Sequence, residues 1–117
     1  MNQRRYRGRL NYDGINDYLE IESFIVRGTE IAYSLVSVSH VHGRWIAESG
    51  KPALLQSNGR FIATDVWASK LGVKSTSPWL IEFQIESEEI GNSIEISGQT
   101  EEAGSVMLFY GELTAVK

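Results

Sequence analysis

Strict alternation of apolar and polar residues is the feature that most limits what this chain can become. It is clearest near residue 80, where Trp79, Ile81, Phe83 and Ile85 share one face and Leu80, Glu82, Gln84 and Glu86 the other. Successive side chains of a strand point to opposite faces, so this two-residue period describes a strand with one buried face. The same period returns in almost every segment. No stretch of any length carries the three-to-four-residue spacing of an amphipathic helix. The fold class that follows is all-β.

The first strand sets Tyr6, Gly8, Leu10 and Tyr12 against Arg5, Arg7 and Arg9. Asp13-Gly14-Ile15-Asn16 supplies a turn. The returning strand then puts Leu19, Ile21 and Ser23 on one face and Glu20 and Glu22 on the other. Pairing Asp13 with Asn16 places Arg9 opposite Glu20, Arg7 opposite Glu22 and Leu10 opposite Leu19, so charge and apolar pattern agree on one register. The arginines are therefore expected to form exposed cross-strand ion pairs. A phosphate-binding patch would interleave them with stacking aromatics, and Tyr6 and Tyr12 point to the opposite face.

Arg27-Gly28-Thr29-Glu30 turns the chain into its longest extended stretch, Ile31 to Glu48. A strand usually has about 5–6 residues, so a bulge or break is expected near Ser39–His40. Ser49-Gly50-Lys51-Pro52 reads as a turn, Ala53–Gln56 as a short strand, and Asn58-Gly59 as a hairpin. Phe61, Ala63, Asp65 and Trp67 then alternate with Ile62, Thr64, Val66 and Ala68, and Ser69 to Pro78 reads as the one long loop. Beyond Trp79–Glu86, a turn through Glu88, Gly91 and Asn92 leads to a strand with Ile94, Ile96 and Gly98 on one face. Glu101 to Ser105 turns once more. The last strand, Val106 to about Val116, sets Met107, Phe109, Gly111 and Leu113 against Val106, Leu108 and Tyr110.

Eight or nine short strands, each joined to the next, describe an up-and-down meander. About eight strands most easily lose their edges by closing, fully or nearly, into an antiparallel barrel; a β-sandwich is the alternative. Gly8, Gly43, Gly98 and Gly111 suit the tight bends of barrel strands. The whole chain, residues 1–117, is of single-domain size. Such a pattern is similar to other eight-stranded meander barrels, including the allene-oxide-cyclase-like barrels, and this likeness implies a tendency to form oligomers. Gly43-Arg44-Trp45 has the Gly-x-Trp form that resembles the lipocalin and wider calycin signature. In that family the tripeptide lies on the first barrel strand, with the tryptophan plugging one end; here it follows two or three strands.

The candidate sites are few. His40 and His42 on one strand would share a face and suggest a metal, as in the cupins, which add a downstream glutamate and a distant third histidine. Glu48 sits near the expected distance, but the chain has only two histidines, and zinc wants three or four protein ligands. No metal and no cofactor is expected. Asp65 falls on the face of Phe61, Ala63 and Trp67. If that face is buried, its carboxyl needs partners or a raised pKa; if it turns outward there, Asp65 is wet. The absence of cysteine removes disulfide and thiolate chemistry. No nucleophile elbow, phosphate loop or dinucleotide fingerprint is present.

A net charge of −4 disfavours nucleic acid and anionic membranes as partners. With no secretory leader and no run of about 18 apolar residues, a cytoplasmic location is the expectation. The favoured function is non-enzymatic binding of a small apolar or amphipathic ligand, or of a protein partner. His40, His42, Arg44, Asp65 and Trp67 are the candidate contacts, with His40, His42 and Arg44 expected at the rim near the bend of the long stretch. An isomerase- or cyclase-like enzyme using a barrel pocket is one alternative. A structural homo-oligomer formed through Val106, Leu108 and Tyr110 is the other.

Overall fold

The computed structural model describes residues 4–48, 52–87 and 91–116, without the side chain of Glu48. Among the described residues, eleven strands form one antiparallel sheet: β1 (Arg5–Tyr12), β2 (Tyr18–Arg27), β3 (Glu30–Ser39), β4 (Gly43–Glu48), β5 (Ala53–Leu55), β6 (Phe61–Val66), β7 (Ala68–Lys70), β8 (Val73–Lys74), β9 (Trp79–Ile85), β10 (Ser93–Glu102) and β11 (Ser105–Ala115). Eight of them close a ring in the order β1-β2-β3-β5-β6-β9-β10-β11, with β11 returning to β1. The short β4, β7 and β8 lengthen the wall at one end. β4 occupies the half of the β3 edge that β5 leaves free, β7 pairs with β4, and β8 pairs with β7. The fold is therefore a closed up-and-down barrel.

The first hairpin has the register that charge and apolar pattern suggest, with Arg9 opposite Glu20 and Leu10 opposite Leu19. The pairing of the charges differs. Glu20 bonds Arg44 at 3.3 Å across β3, and Arg9 lies 3.7 Å over the ring of Tyr18. Arg7 does not face Glu22 in regular register, because β2 bulges there and the pairing resumes as Tyr6 opposite Phe24. The extra residue also reverses the faces beyond it. Phe24, not Ser23, turns inward and is fully buried.

A second bulge has the larger effect on the candidate residues. The β6–β9 register shifts between Ala63 and Val66, and Asp65 takes a φ of +53°. Val66 and Ala68 therefore point inward, while Asp65 is exposed and Trp67 lies on the outer wall. Period-two counting puts both of the latter on the buried face; the bulge removes them from it. The stretch from Ser69 to Pro78 is not one loop either. Residues 68–74 form the β7–β8 hairpin, turned by Leu71 and Gly72 at φ of +51° and +81°. The expected turn at 49–51 and Glu88 lie outside the described residues.

Inside the ring, the inward residues pack at the centre and at the end where β1 begins. Phe83 meets Phe24, Tyr33 and Phe109 at centroid distances of 5.3, 5.5 and 5.9 Å. Leu10, Leu19, Ile31, Leu35, Ile81, Ile94 and Leu113 are buried around them. Tyr6 closes that end, its hydroxyl donating to the Gly91 carbonyl. Charges lie on outward positions and apolar groups on inward ones, the reverse of a barrel whose outer wall meets lipid.

Candidate functional site

At the opposite end the inner faces change character. Along β3 the inward series Ile31, Tyr33, Leu35 ends in Ser37; along β10 the series Ile94, Ile96, Gly98 ends in Thr100. On β1 it ends in Tyr12. These three buried polar side chains meet: the Tyr12 hydroxyl lies 3.3 Å from Ser37 Oγ and 3.4 Å from Thr100 Oγ1. Burial pushes the Tyr12 phenol pKa above its ordinary value, against the smaller opposing pull of its two hydroxyl partners. The phenol is therefore neutral and a donor at physiological pH.

Above this hydroxyl group the barrel is open. A cavity of about 490 Å³ is lined by Trp45, Trp79, Met107 and Ile15 on its apolar sides, with Asp17, Glu102 and His42 among its polar groups. Barrel closure brings them together from the β1–β2 turn, β4, β9 and the β10–β11 hairpin. The indole of Trp45 is fixed by donating to the His42 carbonyl at 3.0 Å, and Lys70 Nζ donates to the same oxygen at 2.9 Å. Trp79 differs. Its indole N–H is buried without a hydrogen-bond partner among the described residues. A buried orphan donor costs about 1–3 kcal/mol.

The long stretch breaks where expected, at residues 40–42, and the turn is held by side chains. Ser39 Oγ accepts the backbone N–H of Val41 and of His42 at 3.2 and 3.1 Å, which ends β3. His40 and His42 therefore sit in a turn and not on one strand face. His40 faces the first hairpin, where its Nδ1 lies 2.8 Å from Asp17 Oδ1 and its backbone N–H donates to the same oxygen at 3.2 Å. His42 lines the cavity. Among the described residues no three His, Asp or Glu side chains gather into a metal-holding group.

The five sequence candidates thus separate. His42 is at the mouth and His40 beside it, contacting Asp17. Arg44 is on the outer wall with Glu20. Asp65 and Trp67 lie outside the cavity lining, and Lys74 Nζ stands 6.0 Å from the Trp67 ring centre. Sequence reasoning did not single out Asp17, Thr100, Glu102 or Met107. The available signal was the switch from apolar to hydroxyl residues at one end of three inward faces.

The hydrogen bond from the His40 ring, the largest influence, holds the Asp17 carboxyl below the usual carboxylate range despite partial burial. A depressed folded pKa gives stability that is present above about pH 4, the unfolded value, and is lost as pH falls through the folded value. Urea unfolding between pH 5 and pH 2.5 is therefore expected to show a falling stability that His40→Ala reduces. An unchanged pH profile in that variant would contradict the assignment.

Compared with protein-family models, with curated proteins and with solved structures, the chain matches none.

Proposed function

We propose that the barrel binds a small amphipathic molecule in its open mouth without transforming it. The observation that carries this reading is the contrast between the two halves of the interior: one packed solid, the other opening into about 490 Å³. A volume in this range suits a small molecule, and apolar walls with a few placed polar groups are the usual composition of such sites. The hydroxyls of Tyr12, Ser37 and Thr100 supply polar contacts at depth.

Prodan, a neutral naphthalene carrying a carbonyl acceptor, tests the reading. Its emission is expected to shift to the blue with saturable, one-site behaviour. Met107→Trp, which fills the mouth from the half-buried side of β11, is expected to weaken that binding at least tenfold while leaving the melting temperature within a few degrees. Equal binding by the variant would place the probe elsewhere and overturn the site.

Assembly of two copies is a second reading, favoured by the outer face of β11. Val106, Leu108 and Tyr110 stand 47, 54 and 64% exposed in one row. Glu112, next along that row, has Arg9 opposite it on β1 and Glu95 opposite it on β10. A twofold axis parallel to β11 would bury the apolar row against itself and set Arg9 of each copy over Glu95 of the other. Light scattering on eluted protein is expected to report a dimer for the wild type and a monomer for Leu108→Glu. A monomeric wild type would sink this reading.

A further inference from the structure

Resting on the mouth as the binding site, we propose that its ligand is an organic ammonium compound, a cationic head on a short apolar body. The lining residues carry two carboxylates, Asp17 and Glu102, and no lysine or arginine; His42 is the single basic group among them. Two basic side chains beside the mouth are already engaged. Lys70 Nζ donates to the His42 carbonyl at 2.9 Å, and His40, itself mostly in solvent, is bonded to Asp17. Asp17 is 13% exposed and accepts two bonds from His40 at one oxygen, so its carboxylate is fixed in position at the rim. Glu102, at the end of β10, accepts from the Ser77 hydroxyl of the segment before β9 at 3.4 Å.

The chemistry of the walls points the same way. The indoles of Trp45 and Trp79 and the phenol ring of Tyr12 are electron-rich surfaces, which attract cations, and the thioether of Met107 and the side chain of Ile15 accommodate an alkyl body. An anionic amphiphile would bring a third negative charge between two carboxylates. A neutral one would strip water from those carboxylates without replacing it. A cationic head does neither. The net charge of −4 adds attraction at longer range.

Three six-carbon probes of one length separate the alternatives: hexyltrimethylammonium, 1-hexanol and hexanoate, each titrated while amide and indole resonances of the mouth are followed. The cation is expected to bind at least tenfold tighter than hexanoate. That preference should fall several-fold in Glu102→Gln and in Asp17→Asn, with thermal melts confirming that each variant is folded. If hexanol or hexanoate binds the mouth as tightly as the cation, or if both variants retain the full preference, the ammonium assignment is wrong although the mouth remains the binding site. If no probe moves the mouth resonances, the binding function itself fails with it.

Discussion

Replacing Phe83 with alanine is expected to destabilise the barrel by about 3–5 kcal/mol, the range for emptying a large aromatic from a packed core. Phe83 has no exposed surface and is the ring on which Phe24, Tyr33 and Phe109 converge. Those three neighbours come from β2 and β3, across the barrel from β9, and from β11, two strands along the wall, so the side chain ties separate parts of the barrel together. Relaxation into the gap would require strands held by hydrogen bonds on both sides to move inward together. Total stabilities of domains this size are about 5–15 kcal/mol, so the loss is a large fraction of the whole. Denaturant unfolding of Phe83→Ala and Phe83→Leu checks it, with the leucine variant expected to recover more than half of the loss. A cost below about 1 kcal/mol for alanine would mean that the interior is not packed around this ring.

Gly98→Ala is expected to be comparably severe, for the opposite reason. A Cβ at this position would lie 1.9 Å from the Glu82 carbonyl oxygen and 2.9 Å from Phe109 Cζ. Overpacking of a core generally costs about 1–3 kcal/mol, occasionally more. Here the first obstacle is backbone of the adjacent strand, which cannot rotate away. Gly98 is opposite both Phe83 and Phe109, so β10 passes closest to its neighbours where the aromatic cluster needs room. Loss of folded protein, or a drop of about 3 kcal/mol or more, is expected. Gly91→Ala is the control, since nothing lies within 4 Å of a Cβ added there. Equal melting temperatures for the two variants would contradict the close approach of β9 and β10.

Much of this architecture was legible because its alternation is unbroken where it matters most. The inward faces of β1, β9, β10 and β11 follow the two-residue period, and Arg9–Glu20 with Leu10–Leu19 fixed the first hairpin. What the period could not reveal were its interruptions. The bulges near Glu22 and Asp65 each insert one residue and reverse the faces after them. Neither sits at a glycine: Asp65 takes φ +53°, a conformation uncommon outside glycine. Leu71 hides the β7–β8 turn in the same way.

The site was less legible than the fold. Only closure of the ring brings the end of β10 and the start of β11 beside the β1–β2 turn and the break after β3. His42 and Trp45 were visible as unusual residues in one stretch. Asp17, Thr100, Glu102 and Met107 have no local pattern that sets them apart from ordinary turn and strand residues. The bulge at Asp65 decides between the two orientations that the sequence left open for it, turning the most chemically suggestive carboxylate away from the interior.

The most direct test of a barrel packed at one end and receptive at the other is a nitrogen–proton correlation spectrum. It would be recorded while a library of small amphipathic compounds is screened. Three tryptophans give three indole signals, and the account assigns them different behaviour. The signal of Trp79, whose ring lines the cavity, should shift on binding, together with the amides of Ser37, Thr100 and Met107. The Trp67 signal on the outer wall should stay in place. Compounds that shift Trp67 or the β11 outer face and leave Trp79 unmoved, or a library with no mouth binder at all, would contradict it.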